Sequence, residues 1–327
     1  MINKKYYEDI KKFPAQFKEG FNIAKDLKVE GEFNRIVLCG VGGSSWYGDL
    51  INDFLDSEKL GKIRLEVKST YEVPFNADEK TLFIISSYSG NTEEALSCLD
   101  QVEKKKLSYV VFTSGGKLLD RAKVTKVPLF KVPASIQPRL STGYTIAGVI
   151  KLLENIGLIV NKEDFILDIA EGMDKTLDED KAKNLAKKLI DKVPLVYGTD
   201  NNISIAKASK IKFNEDAKVQ SFYNYFPEIP HNEMEGFTNL IMEPYFIIYK
   251  SKFTHPRNHK RIEVFTKLMQ KKSLPVEILD LKGKSVFAEM MNVYYFISHV
   301  AYYLAEENNI DPEPVKSVED FKRMLNE

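Results

Sequence analysis

The residues best placed to do chemistry lie in a hydroxyl-rich turn and are Ser87, Ser89 and Thr92. The turn follows the apolar run 81–85, which predicts a buried strand, and precedes residues 95–99, which predict a helix. The first-turn amides of a helix lack intrahelical partners, and the helix dipole places partial positive charge there. Hydroxyl donors at such a helix start predict a phosphate-binding site, and Gly90 permits the tight turn.

The composition of this turn also restricts the class of ligand. It contains no lysine, whereas a Walker-type nucleotide site needs the pattern G-x-x-x-x-G-K-[ST]. Glu93 and Glu94 follow the turn and suit the first turn of a helix on dipole grounds. A monophosphate ester is therefore expected rather than a nucleoside triphosphate.

A second loop, which is rich in glycine and comprises residues 40–45, follows the apolar run 35–39. A dinucleotide fingerprint needs a third glycine where this chain has Ser45, so the spacing matches an NAD site poorly. Alternatively, the bare backbone lets a sugar phosphate approach closely while Ser44 or Ser45 donates a hydrogen bond. Ligands of parallel α/β sheets bind beyond the carboxyl ends of the strands, where both loops are expected. We therefore favour the sugar phosphate.

Three further side chains could take part in a reaction, and each also has an ordinary structural interpretation. Arg139 follows a proline, and its planar donors could bind a phosphate or a developing oxyanion; alternatively it forms a surface ion pair. Glu215 and His231 provide a carboxylate base and an imidazole, the pair needed to move protons on a sugar. Alternatively, Glu215 is a solvated helix residue and His231 an ordinary loop residue.

Other site classes are disfavoured. His255 and His259 lie in a basic, proline-containing stretch, which indicates a surface feature rather than a zinc site, so no metal is expected. The formal net charge of +0 disfavours nucleic acid as a partner. No signal peptide and no apolar run of the roughly 20 residues that span a membrane are found. Cys39 and Cys98 lie in apolar or helical stretches and are expected to be reduced, which fits a cytoplasmic protein.

The elements that must position these residues alternate along the chain. A helix is predicted over residues 5–30, and the predicted strands are 35–39, 65–67, 82–85, 109–112 and 127–132. This alternation predicts an α/β fold with mainly parallel sheets flanked by helices. The length of 327 residues favours two domains. The charged segment 161–188, either a linker or a solvated helix face, suggests domains at 1–155 and 156–327.

The second half of the chain repeats the plan of the first. The apolar runs that mirror earlier strands are 193–198, 245–249 and 276–279. In the second copy, residues 250–255 replace the hydroxyl-rich turn, so this copy is expected to lack the phosphate role. A long helix over 284–308 is followed by Pro312 and Pro314, which end it, and then by a short terminal helix.

Five segments, in order, resemble the sugar isomerase (SIS) superfamily and, more narrowly, its bifunctional phosphoglucose/phosphomannose isomerases. They are G-V-G-G-S-S, S-Y-S-G-N-T-E-E, Q-P-R-L-S-T-G-Y, N-E-D-A-K and P-E-I-P-H-N-E-M-E-G-F, and the proline-containing tail also fits. The resemblance spans nearly the whole chain. It implies two SIS-type domains, each a three-layer αβα sandwich, with the phosphate bound by the first and the catalytic Glu and His supplied by the second.

The resemblance also implies the reaction and its residues. Aldose and ketose 6-phosphates would be interconverted through a cis-enediol without a cofactor. Glu215 would move the proton between C2 and C1, His231 would assist ring opening, and Arg139 would stabilise the enediolate. The tail lysine maps to Lys322, with Lys316 as the alternative. The substrate-binding residues would be Gly42, Gly43, Ser44, Ser87, Ser89 and Thr92.

The family histidine comes from the neighbouring subunit, so the resemblance further implies a homodimer with shared active sites. Two other functions stay open at this point. One is a non-catalytic SIS protein that senses a sugar phosphate. The other is a different SIS enzyme, such as an aminosugar-phosphate isomerase or deaminase.

Overall fold

The computed structural model describes residues 2–60, 63–134 and 136–325. These residues divide into two compact units. The N-terminal unit comprises Lys12–Asp174. The C-terminal unit combines the start of the chain, up to Lys11, with the chain from Lys175 onward.

The start of the chain forms two helices, α1 (Lys4–Lys11) and α2 (Phe13–Ala24), so the single helix predicted over 5–30 is wrong. Pro14 stands in the first turn of α2. Proline has no amide to donate and fits only the first turn of a helix, so the chain starts a new helix there. The two helices belong to different units, with α1 in the C-terminal one.

The N-terminal unit is built on a parallel sheet with the strand order β2-β1-β3-β4-β5. Its strands are β1 (Arg35–Cys39), β2 (Leu65–Lys68), β3 (Thr81–Ser86), β4 (Ser108–Thr113) and β5 (Leu129–Lys131). Its helices are α2, α3 (Tyr47–Ser57), α4 (Glu93–Lys104), α5 (Gly116–Thr125), α6 (Thr142–Asn155) and nearly all of α7 (Glu163–Thr176). Every residue of β3 is buried, as expected for a strand covered on both faces. The five predicted strands are thus confirmed.

The segment after residue 155 contacts helices of the N-terminal unit. The Lys151 ammonium lies 2.8 Å from a carboxylate oxygen of Glu163, which joins α6 to α7. Lys162 lies 3.1 Å from Glu58 at the end of α3. These contacts hold α7 beside α3 and α6, so the unit extends to residue 174 rather than to 155. The charged segment 161–188 forms helices with solvated faces.

The C-terminal unit contains a second parallel sheet, ordered β7-β6-β8-β9. Its strands are β6 (Val193–Thr199), β7 (Phe222–Phe226), β8 (Pro244–Lys250) and β9 (Val276–Asp280). Its helices are α1, α8 (Glu179–Lys188), α9 (Ile203–Glu215), α10 (Pro256–Lys271), α11 (Val286–Glu307) and α12 (Lys316–Leu325). The order matches β2-β1-β3-β4 of the first sheet, which confirms the predicted repeat.

Strand β7 is the element of this sheet that the sequence analysis did not predict. It lies at the sheet edge, where Phe222 and Tyr223 are both exposed. A half-buried strand normally alternates apolar and polar residues, and this run of aromatic residues does not. Strand β7 is defined by backbone pairing with β6, in which Phe222 lies opposite Leu195, 27 positions earlier in the chain.

Glu289, one turn into α11, carries a buried carboxyl group, with 1% of its surface exposed. Burial raises the pKa of Glu289, and the nearby Ser251 hydroxyl and Lys252 amide only partly oppose the rise. Because the folded-state pKa exceeds the unfolded one, folding stability falls as pH rises from about 4.5 through the folded-state value.

We therefore expect Glu289→Gln to raise the melting temperature at pH 7, because glutamine cannot ionise. The difference from wild type should disappear below about pH 4.5, where the carboxyl is protonated in both states. Thermal unfolding followed by circular dichroism between pH 4 and 8 measures this. An advantage that is constant across the range would contradict the titration of Glu289 as its cause.

Candidate functional site

The glycine loop and the hydroxyl-rich turn meet at the carboxyl edge of the N-terminal sheet, as the sequence predicts. The loop follows β1 and the turn follows β3, and these strands are parallel neighbours. The Tyr88 amide donates a hydrogen bond to Ser44 Oγ at 3.0 Å, which joins the loop to the turn directly. Gly42 adopts φ +58° where the loop enters the short 3-10 turn Gly42–Ser44. Gly42, Gly43 and Ser44 therefore border the turn.

Inside the turn, the hydroxyl groups are held by backbone packing. Ser87 is fully buried, and its hydroxyl lies 2.7 Å from Thr92 Oγ1. Gly90 adopts φ +70°, and its amide donates to the Ser87 carbonyl oxygen at 3.1 Å. A Cβ atom on Gly90 would lie 1.7 Å from the Gly115 carbonyl oxygen, so only glycine fits here. The loop after β4, which contains Gly115, thus packs against the hydroxyl-rich turn.

The turn ends at the N-terminus of α4, which offers donors for an anion. Thr92 is the N-cap residue, with an extended backbone, and its side chain does not cap the helix. Thr92 Oγ1 instead contacts Ser87, while Ser89 is exposed. The first turn of α4 is therefore not capped by the Thr92 side chain, and the Ser87 and Thr92 hydroxyl groups lie at the start of this helix. This combination of donors and helix dipole is suited to a phosphate group.

Arg139 is also placed near this edge, and it is not a surface residue. It lies in the short 3-10 turn Pro138–Leu140, and only 2% of its surface is exposed. The interpretation as a surface ion pair is therefore wrong. A Cβ atom built on Gly43 would lie 3.7 Å from the Arg139 backbone nitrogen, so the glycine loop contacts this segment closely. A guanidinium at this position can stabilise negative charge on a bound molecule.

Two residues without a role in the sequence analysis position the Arg139 segment. The Tyr88 hydroxyl donates to the carbonyl oxygens of Pro133 and Ile136, at 3.1 and 2.7 Å. Gln16, which is 1% exposed, donates to the Leu140 carbonyl oxygen at 2.6 Å and accepts from the Gly143 amide at 3.0 Å. A polar residue within the apolar stripe of α2 was a signal that could have identified Gln16.

Glu215 is the last residue of α9 in the C-terminal unit, and it is half-buried. The apolar stripe of α9 packs against the sheet, with Phe213 fully buried. Glu215 is therefore a partly exposed residue at a helix end whose neighbours Phe213 and Asp216 are fully buried. A carboxylate with limited solvent contact is suited to proton transfer.

His231 lies between β7 and β8 and is exposed. It ends the short 3-10 turn Ile229–His231, where its amide donates to the Glu228 carbonyl oxygen at 3.0 Å. Glu233, two residues later, accepts hydrogen bonds from the Tyr197 hydroxyl and the Asn224 side-chain amide. Burial and the Glu233 carboxylate raise the pKa of Tyr197, so its hydroxyl remains a donor. These contacts tie the segment that presents His231 to β6 and β7.

Lys322 and Lys316 both lie on the terminal helix α12, whose side chains are all exposed. The terminal helix was predicted from the sequence. Because both lysines are exposed, burial does not distinguish Lys322 from Lys316 as the catalytic lysine. The seven proposed anion-binding residues, Arg139 included, belong to the N-terminal unit, and Glu215, His231 and Lys322 belong to three segments of the C-terminal unit.

Some alternative sites can be compared with the structure. His255 Nδ1 accepts a hydrogen bond from the Arg257 amide and caps α10. Among residues 2–60, 63–134 and 136–325, no cluster of three or more potential metal ligands is found. In the same described part of the chain, no helix combines the length and the apolar character needed to cross a membrane. Cys39 and Cys98 are buried free thiols.

Comparison with known proteins identifies relatives over nearly the full length. Residues 178–325 match the family of the bacterial phospho-glucose isomerase C-terminal SIS domain. A bifunctional phosphoglucose/phosphomannose isomerase of Aquifex aeolicus is 31% identical, with 98% of both chains covered. The enzyme of the same name from Caldicellulosiruptor bescii is also 31% identical, covering 98% of this chain and 99% of its own.

Solved structures show the same fold at lower identity. The C-terminal domain of glucosamine-fructose-6-phosphate aminotransferase from Francisella tularensis superimposes with a TM-score of 0.73. It is 14% identical and covers 94% of this chain and 98% of its own. At this identity the similarity supports the fold alone, and it agrees with the predicted SIS architecture.

Proposed function

Because the chain belongs to the bifunctional phosphoglucose/phosphomannose isomerase family, we propose that it interconverts glucose 6-phosphate and mannose 6-phosphate with fructose 6-phosphate. The observation that carries the proposal is the junction of three loops at one sheet edge. The glycine loop, the hydroxyl-rich turn and the Arg139 segment all meet there. Such a site can hold the phosphate that the two aldoses and the ketose have in common.

In the proposed mechanism, Glu215 removes the proton from C2 of the open-chain aldose and a cis-enediol forms. The hydroxyl proton on O2 is transferred to O1, and the same residue returns its proton to C1, so that C2 becomes the carbonyl carbon and the ketose forms without any change in overall composition. Arg139 stabilises the negative charge that develops on the enediolate oxygen, a type of contribution that is commonly large. His231 and Lys322 assist opening of the sugar ring, with Lys316 as the alternative lysine.

The same enediol explains how one site could use two aldoses. Glucose and mannose 6-phosphates differ only in configuration at C2, and that difference is lost when C2 becomes trigonal. Turnover of both requires room for rotation about the C2–C3 bond. We propose a homodimer with shared sites as the working assembly, which the exposure of His231 on its own chain supports. We place the enzyme in the cytoplasm, where the free thiols of Cys39 and Cys98 would stay reduced.

The test of the function is formation of fructose 6-phosphate from each aldose 6-phosphate, assayed separately with the purified full-length protein. We expect both to react without an added metal or cofactor. If sugar phosphates bind but neither aldose turns over, the protein is a sugar-phosphate sensor and the proposed function is wrong. Turnover only of an aminosugar phosphate would assign it to a different SIS enzyme class.

The hydroxyl-rich turn supports a separate prediction about binding. In the double variant Ser89→Ala and Thr92→Ala, two phosphate donors are lost while the backbone amides of α4 remain. We expect KM for glucose 6-phosphate to rise at least about 100-fold, from roughly 1.5 kcal/mol or more for each of the two hydrogen bonds lost to a charged group, with kcat changed by less than about threefold.

Inhibition by inorganic phosphate should weaken in parallel, because it probes the turn without the sugar. Ser97→Ala is a matched control, since Ser97 lies on α4 but donates to the Tyr71 carbonyl oxygen, away from the turn. A double variant that loses kcat but keeps its KM and phosphate inhibition would assign Ser89 and Thr92 to the chemical step instead.

A further inference from the structure

The end of α9, which carries Glu215, is held by contacts to which the proposed mechanism gives no role. The first is a buried ion pair between two residues that are one helical turn apart. Lys212 Nζ lies 3.6 Å from Asp216 Oδ2, and these side chains are 2% and 0% exposed. The Tyr6 hydroxyl of α1 donates to the other Asp216 oxygen at 2.6 Å. Removing two charges from water is costly, so we consider this pair for the position it specifies at the end of α9 and not for its contribution to stability.

Lys218 provides the second set of contacts, immediately after the helix. Its ammonium donates hydrogen bonds to the carbonyl oxygen of Glu215 and, at 3.0 Å, to that of Pro312. A cation at the C-terminus of a helix complements both the dipole and the unpaired carbonyl groups. Lys218 adopts φ +57°, a left-handed conformation that is unfavourable for a residue with a side chain.

The Pro312 contact is notable for its position in the chain. Pro312 is buried, and α12 with Lys316 and Lys322 begins four residues after it. One ammonium group therefore joins the backbone of Glu215 to the segment from which the terminal helix starts. Lys218 and Pro312 are 94 residues apart in the sequence, so this hydrogen bond connects two distant segments of the chain.

Helix α1 completes the network from the other side. Asn3 Nδ2 donates to Asp311 Oδ1 at 3.1 Å and to Glu313 Oε2 at 2.9 Å, on either side of Pro312. Asn3 Oδ1 also accepts from the Tyr6 amide at 3.0 Å, which begins α1. Within one helical turn, α1 thus contacts the start of the tail through Asn3 and Asp216 through Tyr6.

We propose that Lys218 and α1 are positioning elements that hold Glu215 and the lysine-bearing tail in a fixed mutual arrangement. This inference rests on the proposed function, because it concerns the placement of the proposed base. A displacement of about 1 Å at a reacting group can cost roughly 100-fold in rate, so the contacts would matter for catalysis as well as for folding. Lys218 itself does not transfer a proton in this scheme.

The test is Lys218→Asn in the full-length protein, since asparagine tolerates the left-handed conformation but is too short to reach Pro312. We expect kcat for glucose 6-phosphate to fall roughly 10- to 100-fold while KM changes by less than about threefold, because the phosphate donors lie in the other unit. With [2-²H]glucose 6-phosphate, we expect a larger kinetic isotope effect on kcat than in the wild type, because proton abstraction becomes more rate-limiting. Loss of folded protein alone would leave that isotope effect unchanged.

Lys126→Asn is the matched control. Lys126 has the same φ of +57° at the end of α5, in the N-terminal unit, and we expect no change in kcat or isotope effect. Lys218→Arg should restore most of kcat because it retains a cation that can reach both carbonyl oxygens. If Lys218→Asn does not fold, Tyr6→Phe, which removes only the hydroxyl that contacts Asp216, should show the same isotope signature with a smaller loss of kcat.

The outcomes separate this inference from the function on which it rests. An active wild type together with wild-type kcat and isotope effect in Lys218→Asn overturns the positioning role alone. The same conclusion follows if Lys218→Asn fails to fold and Tyr6→Phe leaves the isotope effect unchanged. If the wild type isomerises neither aldose 6-phosphate, the proposed function and this inference are both wrong.

Discussion

Replacement of Glu215 by glutamine is expected to lower kcat for glucose 6-phosphate by about 10²- to 10⁴-fold, the usual contribution of a general base. Glutamine has nearly the same shape but cannot accept the C2 proton. Because the phosphate donors are unaffected, KM should stay within about threefold of the wild-type value. Steady-state kinetics with both aldose 6-phosphates measures this, and the loss should be similar for both since they form the same enediol.

Glu307→Gln is the matched control for this substitution. Glu307 is the last residue of α11, as Glu215 is of α9, and it is exposed. We expect it to retain wild-type kcat. A Glu215→Gln enzyme with more than about a tenth of wild-type activity would contradict the assignment of the base, because even a weakly contributing base should cost more.

The variant also tests the proposal that the active site is shared between two subunits. Mixing Glu215→Gln with His231→Ala, each with little activity alone, should restore activity when subunits exchange. Heterodimers would then contain one site with both wild-type groups. Mixed protein that stays at the level of the two variants, after subunit exchange has been verified with tagged chains, would contradict the donation of His231 by the partner subunit.

Substitution of Arg139 by methionine has the second-largest expected effect, a loss of about 10²- to 10³-fold in kcat, as for removal of an oxyanion donor. The guanidinium is buried, and the charge it would stabilise exists only in the enediolate. The interaction is therefore expected mainly in the transition state, which lowers kcat more than it raises KM. Stopped assays of fructose 6-phosphate formation provide the kinetics.

Arg139→Lys distinguishes charge from geometry. Lysine keeps the positive charge but lacks the planar fork of donors, so we expect partial recovery of kcat over Arg139→Met. Circular dichroism and inhibition by inorganic phosphate serve as controls for folding and for an intact phosphate site. An Arg139→Met enzyme with normal kcat and a raised KM would assign Arg139 to phosphate binding instead, the other role considered for it.

The alternating pattern of apolar runs was sufficient to predict the α/β class, each strand of the first sheet and the repeat in the second half. These features depend on local periodicity, which a buried parallel strand must have because it is covered on both faces. The hydroxyl-rich turn and Gly90 could also be identified from the sequence, because a phosphate site at a helix start needs particular residues within a short segment. The family resemblance identified the reaction and implied roles in it for Glu215, His231 and Lys322.

The single helix predicted over 5–30 failed for a different reason. Its periodicity continues across Lys12, but Pro14 can occupy only the first turn of a new helix. Which unit each half joins depends on contacts with residues more than 100 positions away, such as Tyr6 with Asp216 and Gln16 with Leu140. Strand β7 was missed because an edge strand with exposed aromatic residues has no regular pattern of burial.

The sequence by itself thus determined the α/β class, the strands of the first sheet and their repeat in the second half, and it predicted the hydroxyl-rich turn as the phosphate site. Only the tertiary structure decided that Arg139 is buried, that Ser44 contacts the turn, and that Lys218 joins Glu215 to the tail. The physical reason is the range of the interactions. Helix starts, turns and strand periods are set by neighbours in sequence, whereas burial of a charge and the pairing of distant backbone groups are set by the packing of the whole unit.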